Sequence, residues 1–133
     1  MQLVSGQKIA LNQLIQNDKK FTLRVQFKAS FDVDISSFGV GQKDKLFNDD
    51  YMTFYNQLKT PKCEVQYSQQ GNLNLFTFDL NKIDVSQTPR FVICATVAND
   101  QATMQNIQSG QIDLVNQQGE VLAIYQLNAS DFS

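Results

Sequence analysis

Apolar and polar residues alternate along several short segments of this chain, as they do in β-strands that bury one face. In residues 22–28, Leu23, Val25 and Phe27 fall on one side and polar residues fall between them. Because successive side chains of a strand point to opposite faces, this segment predicts a strand that is packed on one side and solvated on the other. Similar patterns predict further strands at residues 31–36, 51–55, 63–67, 76–80, 91–97, 111–115 and 121–127.

The segments between these strands have the composition of turns. Pro61, Gly71 and Gly119 lie in three of them, and residues 116–120 predict a hairpin loop between the last two strands. Short strands at regular spacing, with no repeated alternation of strand and helix, predict an all-β fold. We expect an antiparallel two-sheet β-sandwich with little helix, organised as a single domain over residues 1–133.

The same alternation predicts one irregularity and the composition of the core. Its phase changes between Leu75 and Phe76, which predicts a β-bulge or a bend there. The buried faces of the strands predict a core that contains Val25, Phe27, Val33, Ile35, Phe54, Phe78, Ile93 and Val97. Helix is expected only as one turn at residues 81–85 and as a short helix at residues 100–107, capped by Asn99 or Asp100.

Two aspartates, Asp32 and Asp34, alternate with apolar residues in the strand predicted at residues 31–36. Residues i and i+2 of a strand share a face, so the two carboxylates are predicted to lie side by side, opposite the buried face. Such a pair either binds a hard cation such as calcium or sits at a solvated strand edge and binds nothing. The spacing alone leaves both interpretations open.

Composition narrows the classes of function that the chain can have. Its 133 residues suffice for one domain with a sizeable core, and only 18% of them are charged. The chain contains no histidine, which excludes histidine-based acid–base catalysis and histidine metal sites. It has no Gly-rich phosphate loop, and a carboxylate-pair hydrolase is disfavoured because no Trp is present to line a sugar cleft. We therefore expect a protein that is not an enzyme.

Charge, hydropathy and cysteine content set the expected partners and location. A formal charge of −2 without a long basic run disfavours nucleic acid as a partner. No apolar stretch approaches the roughly 20 residues needed to span a bilayer, and Gln2, Gln7 and Lys8 interrupt any signal-peptide core. Cys63 and Cys94 form no close-spaced metal or redox motif, and buried free thiols fit a reducing compartment. We expect a cytoplasmic location.

Two motifs resemble those of the tellurite-resistance TerD family. Phe-Asp-Val-Asp-Ile-Ser at residues 31–36 is similar to the family's Phe-Asp-Leu-Asp-Ala-Ser signature. Asn-Asp-Asp-Tyr-Met-Thr-Phe-Tyr-Asn-Gln at residues 48–57 resembles its Ser-Asp-x-x-Phe-x-Phe-Tyr-Asn-Asn run. Weaker similarities at residues 3–9, 76–80 and 91–97 extend the likeness over most of the chain. The resemblance implies a β-sandwich of the TerD type.

The resemblance also implies a calcium site. Asp32, Asp34, Asp49 and Asn56 match the family's motifs and carry suitable oxygens. The first two would be anchors, Asp49 would reach over from the neighbouring loop, and Asn56 would add a neutral carbonyl. The loop at residues 68–74 departs from the family's pattern, because it contains no carboxylate where the family has an acidic loop. The shortened loop is more similar to that of TerA-like members, and its lack of carboxylates implies that calcium binding is weak or lost.

The C-terminus is a second departure from the family's pattern. The chain stops at residues 129–133, where the family continues into a Glu-rich helix and a terminal strand. It is thus either a shortened piece or a divergent short member. If that strand is absent, the sheet that receives it has an open edge, which recruits another strand. The expected partners are a second copy of the chain, through this edge, or other stress-response proteins.

Taken with the residues, the resemblance implies a non-enzymatic stress-response or tellurite-resistance module with calcium as a weakly held cofactor. Two alternatives stay open. One is a metal-free interaction domain of the same fold, and the other is a carbohydrate- or small-ligand-binding sandwich reached by convergence. Calcium titration distinguishes the calcium-binding module from the metal-free domain. A glycan array with and without calcium tests the carbohydrate-binding sandwich.

Overall fold

The computed structural model of the chain describes residues 1–29, 32–97 and 107–128. Within them the chain forms nine strands and little helix. The helical elements are the five-residue helix α1 (Leu11–Ile15) and two 3₁₀ turns at Gln42–Asp44 and Asp49–Tyr51. The strands are β1 (Gln2–Leu3), β2 (Lys20–Lys28), β3 (Val33–Val40), β4 (Met52–Thr53), β5 (Val65–Gln70), β6 (Leu73–Asp79), β7 (Arg90–Val97), β8 (Ser109–Asn116) and β9 (Val121–Asn128).

The strands form two sheets, which confirms the predicted all-β, antiparallel two-sheet sandwich. The larger sheet has the strand order β1-β9-β8-β2-β6-β5, and the smaller has the order β4-β3-β7. Neighbouring strands are antiparallel except β1 and β9, which pair in parallel with Gln2 opposite Ile124. β2 therefore occupies the middle of the larger sheet, and β3 occupies the middle of the smaller one.

The core lies between the two sheets and is built from the inward faces of both. β2 contributes Phe21 and Val25, and β3 contributes Ile35 from the opposite sheet. The rings of Phe21 and Phe78 stack with centroids 5.0 Å apart across the β2–β6 pair. The buried cluster comprises Ile15, Phe21, Val25, Ile35, Val65, Tyr67, Phe76 and Phe78.

Most of the predicted core residues lie in this cluster or pack against it, namely Val25, Phe27, Val33, Ile35, Phe78 and Ile93. Phe54 and Val97 are half-buried outside the cluster. Phe54 leaves the strand because it and Gln57 exchange backbone hydrogen bonds of 2.9 and 3.0 Å, which turn the chain after β4. Its ring packs against Tyr55 instead, with centroids 5.4 Å apart.

β6 is regular where the sequence predicts a bulge. Its pairing with β2 and β5 is unbroken, so no irregularity separates Leu75 from Phe76 and that prediction is wrong. The pattern in the sequence changes phase because Asn74 occupies an interior position, whereas the leucines on either side of it do not. The amide of Asn74 is hydrogen-bonded there. A register shift occurs in the same sheet between Leu114 and Val115 of β8.

The predicted hairpin between the last two strands is confirmed, since the N–H of Asn116 donates to the carbonyl of Glu120 at 3.0 Å. A single turn follows β6, closed by the N–H of Lys82 donating to the carbonyl of Asp79 at 3.1 Å. The helix predicted at residues 100–107, with its caps, lies almost wholly outside the described residues. In the described part of the chain, no helix is both long enough and apolar enough to cross a membrane.

Candidate ligand-binding site

The acidic pair lies at the N-terminal end of β3, the central strand of the smaller sheet. Asp34 is the second residue of β3 and pairs with Thr96 of β7, and Asp32 immediately precedes the strand. Val33 and Ile35 pack toward the core on either side of Asp34. The alternation thus leaves both carboxylates exposed at the end of the sheet, as predicted.

Asp32 and Asp34 line one cavity of about 240 Å³. Its lining combines residues at the start of β3, in the smaller sheet, with residues of β5 and β6, in the larger sheet. The cavity therefore lies between the start of β3 and the β5–β6 hairpin. The other residues in its lining are Val33, Ile35, Tyr55, Tyr67, Gln69 and Asn74. The structure thus places Asp32 and Asp34 in one lining, and the neutral polar members of that lining come from other parts of the chain.

Tyr67 and Asn74 form a hydrogen-bonded pair in this lining. The Tyr67 hydroxyl donates to Oδ1 of Asn74 at 2.6 Å. Burial raises the pKa of Tyr67, and the negative charge of Asp34 raises it further. Tyr67 therefore stays protonated near neutral pH and acts as a hydrogen-bond donor.

Asp49 and Asn56, the other two predicted ligands, are not in the lining of this cavity. Asp49 begins the 3₁₀ turn Asp49–Tyr51, in which Oδ1 of Asn48 accepts a hydrogen bond from the N–H of Asp50 at 2.9 Å. Asn56 is exposed in the turn that follows β4. The structure thus brings two of the four predicted ligands together.

The pairing of β3 with β4 explains where Asp49 lies. Phe38 pairs with Met52, three residues after Asp49, so the 3₁₀ turn lies beside the second half of β3. The four residue steps from Asp34 to Phe38 span roughly 13 Å along the strand. Among the residues that the structure describes, no three Asp, Glu, Cys or His side chains are grouped closely enough to hold a metal ion.

The cavity lining carries oxygens of the kinds that calcium binds in proteins. Calcium takes six to eight oxygen ligands in proteins. Asp32 and Asp34 would supply carboxylate oxygens, and Tyr55 and Gln69 carry neutral oxygens in the same lining. Oδ1 of Asn74 already accepts the hydrogen bond from Tyr67. With only two carboxylates, bound calcium would keep several of its waters.

The segment that lacks carboxylates is a tight hairpin between β5 and β6. Gly71 and Asn72 alone join the strands, and Gly71 has a φ of +57°, a conformation that favours glycine. The segment around this short turn, which the sequence analysis found to lack carboxylates, places the amide side chains of Gln69 and Asn74 in the cavity lining. The sequence analysis missed both residues, although the position of Asn74 between two leucines was a usable signal.

A second cavity, of about 760 Å³, adjoins the first and shares Asp32, Val33, Gln69 and Asn74 with it. It extends to the ends of β2, β8 and β9 in the larger sheet. Seven of the fifteen residues that line it are amides, namely Gln26, Gln69, Asn72, Asn74, Gln111, Gln126 and Asn128.

One protein family matches the chain over its full length. The model of that family, described as the TerD domain, covers residues 1–133. The chain belongs to the TerD family. The resemblance to this tellurite-resistance-type family, seen in the two motifs, is thereby confirmed. Among curated proteins, none matches the chain.

The TerD domain also buries a carboxylate, Glu64, outside both cavities. Glu64 is 2% exposed, and its Oε1 accepts a hydrogen bond from the N–H of Lys62 at 2.7 Å. Burial alone would raise the pKa of Glu64, but hydrogen bonds from backbone N–H groups and from the hydroxyls of Thr60 and Tyr51 lower it below its usual value. Glu64 therefore links the 3₁₀ turn before β4 to the start of β5.

Proposed function

We propose that this TerD domain is a non-enzymatic stress-response module that binds calcium weakly through Asp32 and Asp34. The observation that supports this function is that both carboxylates line one cavity whose other polar groups are neutral. A cation bound there would offset the repulsion between the carboxylates. Because both side chains are exposed, binding would not require a bare charge to be buried.

The chemistry of the lining supports a binding role over a catalytic one. It combines carboxylates with phenols and amides, and the chain contains no histidine to exchange protons near neutral pH. The raised pKa of Tyr67, caused first by burial and then by the charge of Asp34, makes that phenol a poor proton donor to a substrate. Each polar group in the cavity lining suits hydrogen bonding or cation binding.

The domain is further proposed to pair with a second copy of itself through β7, an edge strand of the smaller sheet. Among the described strands, β7 pairs only with β3. It is eight residues long, contains no Pro or Gly, and carries a single charge at Arg90. Such a strand lacks the features that prevent edge pairing. Two copies of β7 in antiparallel pairing would join two three-stranded sheets about a two-fold axis.

A reducing compartment, the cytoplasm, is the proposed location. Cys63 and Cys94 are free thiols and are half-buried. Cysteines without a disulfide are typical of proteins in compartments that keep thiols reduced.

Calcium titration of the isotope-labelled domain, followed by NMR, tests the calcium site. We expect amide resonances of residues 32–35 and 67–74 to shift at millimolar calcium. Asp34→Asn should weaken binding by roughly tenfold or more, because it removes one of two charged ligands. Asp18→Asn is the matched control, since Asp18 precedes β2 at the end of the sheet remote from the cavity.

Asp49→Asn separates the two-ligand site from the four-ligand set expected from sequence. An effect as large as that of Asp34→Asn would mean that Asp49 reaches the ion. An absence of calcium-dependent shifts near β3 in the wild type would reject the calcium site altogether. The metal-free interaction domain would then be the better description.

A further inference from the structure

The outer face of the smaller sheet carries an ordered set of side chains that the core does not use. Ile35, Phe91 and Ile93 pack against the core, so the residues that alternate with them on β3 and β7 point away from it. Strand pairing arranges these outer residues in four rows. From one end of the sheet to the other, the rows are Asp34–Thr96, Ser36–Cys94, Met52–Phe38–Val92 and Val40–Arg90.

The two central rows, called the outer patch below, are apolar apart from one small serine. Val92 is 45% exposed, and Phe38, Met52 and Cys94 keep part of their surface in contact with solvent. Ser36, on the central strand between larger neighbours, is buried. A sheet face that meets water normally carries polar residues at these outward positions. Neighbouring exposed apolar residues with a polar rim are typical of an interaction surface.

Charges lie only at two opposite corners of this face. Of the residues in the four rows, Asp34 and Arg90 alone are charged. Asp34 is in the first row, on β3, and Arg90 is in the last row, on β7. Successive rows are roughly 6.6 Å apart, so these two residues are separated by roughly 20 Å along the strands. Within one chain they are therefore too far apart to pair with each other.

Arg90 already has an acidic partner in the chain, and this pair leaves its guanidinium accessible. It forms an ion pair with Asp44, and the two side chains are 58% and 73% exposed. Ion pairs that are so exposed contribute little to stability. The guanidinium has five N–H donors, so it can bind a second carboxylate without releasing the first.

We propose that two copies of the chain associate through this face, about a two-fold axis that lies between the two smaller sheets and runs perpendicular to their strands. This axis places the first row of one copy over the fourth row of the other, and the second row over the third. Val92 then lies over the partner's Cys94, and Phe38 lies over the partner's Ser36. A larger side chain thus meets a smaller one at each position of the outer patch, which favours close packing.

The two charged corners select this orientation. The partner's Arg90 lies over Thr96, beside Asp34, and the same contact recurs at the other end of the interface. Sheets that pack face to face are about 10 Å apart, a distance that an arginine and an aspartate side chain span together. An axis along the strands would instead place the two Asp34 carboxylates at the same end, where they would repel each other. Complementary charges of this kind fix the orientation of an interface.

The size of the face sets the expected strength of the pair. Three strands and four rows make a surface of roughly 10 Å by 20 Å. Stable interfaces bury about 800 Å² on each partner, and this face is well below that size. We therefore expect a weak dimer, with a dissociation constant between high micromolar and millimolar. The interface is a different surface from the edge of β7, and it depends neither on the proposed pairing there nor on bound calcium.

Sedimentation velocity of the whole chain, from micromolar to millimolar concentration and with excess chelator, tests the inference. Met52→Lys should weaken association by about tenfold or more, because the interface would then bury an unpaired charge. Met52 lies on β4, which β3 separates from β7, so this change leaves the edge of β7 unaltered. Val121→Lys is the matched control and should associate as the wild type does, since Val121 is 42% exposed on β9 of the larger sheet.

An exchange of charges tests the orientation. Arg90→Glu and Asp34→Arg should each weaken association by about tenfold, because each places like charges side by side at two symmetric positions. The variant with both changes should associate about as well as the wild type, since opposite charges again lie beside each other. Such a recovery is not expected if the single changes act by destabilising the fold, and urea denaturation of each variant measures its stability.

The outcomes separate this interface from the proposed pairing through β7. A wild type that is monomeric at millimolar concentration overturns the inference. Association that Met52→Lys leaves unchanged also overturns it and assigns the dimer to another surface, such as the edge of β7. If Met52→Lys weakens association but the double charge variant does not recover it, the antiparallel packing proposed here is wrong. Loss of association in Met52→Lys together with recovery in the double variant supports the inference, whatever the state of the β7 edge.

Discussion

Asn74, which is 8% exposed, accepts a hydrogen bond from the Tyr67 hydroxyl at 2.6 Å and donates one to the Val25 carbonyl at 3.3 Å. One buried amide thus connects β5, β6 and β2 at the place where the two cavities meet. Buried polar groups that are satisfied on both sides rigidify their surroundings, whereas half-satisfied ones destabilise them. The shape of the candidate site therefore depends on a residue that carries no charge.

Replacing Asn74 tests this dependence. Asn74→Leu leaves the Tyr67 hydroxyl buried without its acceptor, so we expect the free energy of unfolding to fall by about 1–3 kcal/mol. Urea denaturation measures the loss. Tyr67→Phe combined with Asn74→Leu should be less destabilising than the sum of the single changes, because both partners are then apolar. Additive losses would mean that the hydrogen bond contributes little to stability.

Gly110 is expected to tolerate no side chain. In Gly110→Ala the new Cβ would lie 2.6 and 2.7 Å from two carbons of the Phe27 ring. Displacing a ring that packs against the core should lower stability by about 1–3 kcal/mol. Thermal or urea denaturation gives the value. The loss should shrink in a Phe27→Leu background, and an equal loss there would show that the ring is not the obstacle.

The buried carboxylate of Glu64 should make stability depend on pH. Its pKa in the folded state is below the ordinary value of 4.5, because the hydrogen bonds to it outweigh the effect of burial. The contribution of Glu64 is therefore complete above that ordinary value and is lost as the pH falls through the lowered pKa. We expect Glu64→Gln to lower stability at neutral pH by about 1–3 kcal/mol and to flatten the acid limb of the stability curve.

Urea denaturation from about pH 7 down to about pH 3 checks the prediction for Glu64. The matched control is Glu120→Gln, since Glu120 is exposed in the β8–β9 hairpin. A stability curve for Glu64→Gln that runs parallel to that of the wild type would contradict the assignment.

The proposed pairing through β7 can be blocked by one charge. Val92 is 45% exposed on β7, and a lysine on an edge strand opposes strand addition. We expect Val92→Lys to reduce the dimer seen by sedimentation velocity at micromolar concentration while leaving the fold intact. Val85→Lys is the control. Val85 is 72% exposed and lies outside the strands, so this change should not reduce the dimer. A wild type that is monomeric throughout would rule out the pairing.

Calcium should stabilise the domain only slightly. A ligand that binds the folded state alone stabilises it by about 0.4 kcal/mol when its concentration equals the dissociation constant. For the proposed weak site, a rise in melting temperature should therefore become measurable at millimolar calcium and disappear after chelation. Asp34→Asn should abolish the rise. A large rise at micromolar calcium would require more ligands than Asp32 and Asp34.

Alternation predicted β2 well because apolar and polar residues alternate along it. In β3 the alternation holds only at the start, because the strand is buried on both faces at residues 36, 37, 39 and 40. It failed where local hydrogen bonds decide the backbone. Asn48 caps a 3₁₀ turn that takes Tyr51 out of β4, and the backbone of Gln57 turns the chain at Phe54. Helix α1, which the sequence analysis did not predict, is too short for a full helical pattern, although Leu11 and Leu14 have helical spacing.

The candidate site was predictable only as far as its residues share a strand. Asp32 and Asp34 are two residues apart, so the strand period alone places them together. The position of Asp49 depends on the 3₁₀ turn inserted before β4, which no periodicity encodes. Gln69 and Asn74 reach the cavity from another sheet, and their role depends on how the two sheets pack. The packing of the two sheets therefore determines which neutral polar residues line the site.

The parallel pair of β1 and β9 joins residues from distant parts of the sequence. The N-terminal amino group donates to the carbonyl of Leu122 at 3.2 Å, and the N–H of Ile124 donates to the carbonyl of Met1 at 2.8 Å. β1 has only two residues, so this margin of the larger sheet can detach while α1 and the core stay in place. The amide of Ile124 should then exchange its hydrogen through local fraying rather than through global unfolding. One edge of the sheet is thus held by fewer hydrogen bonds than its centre.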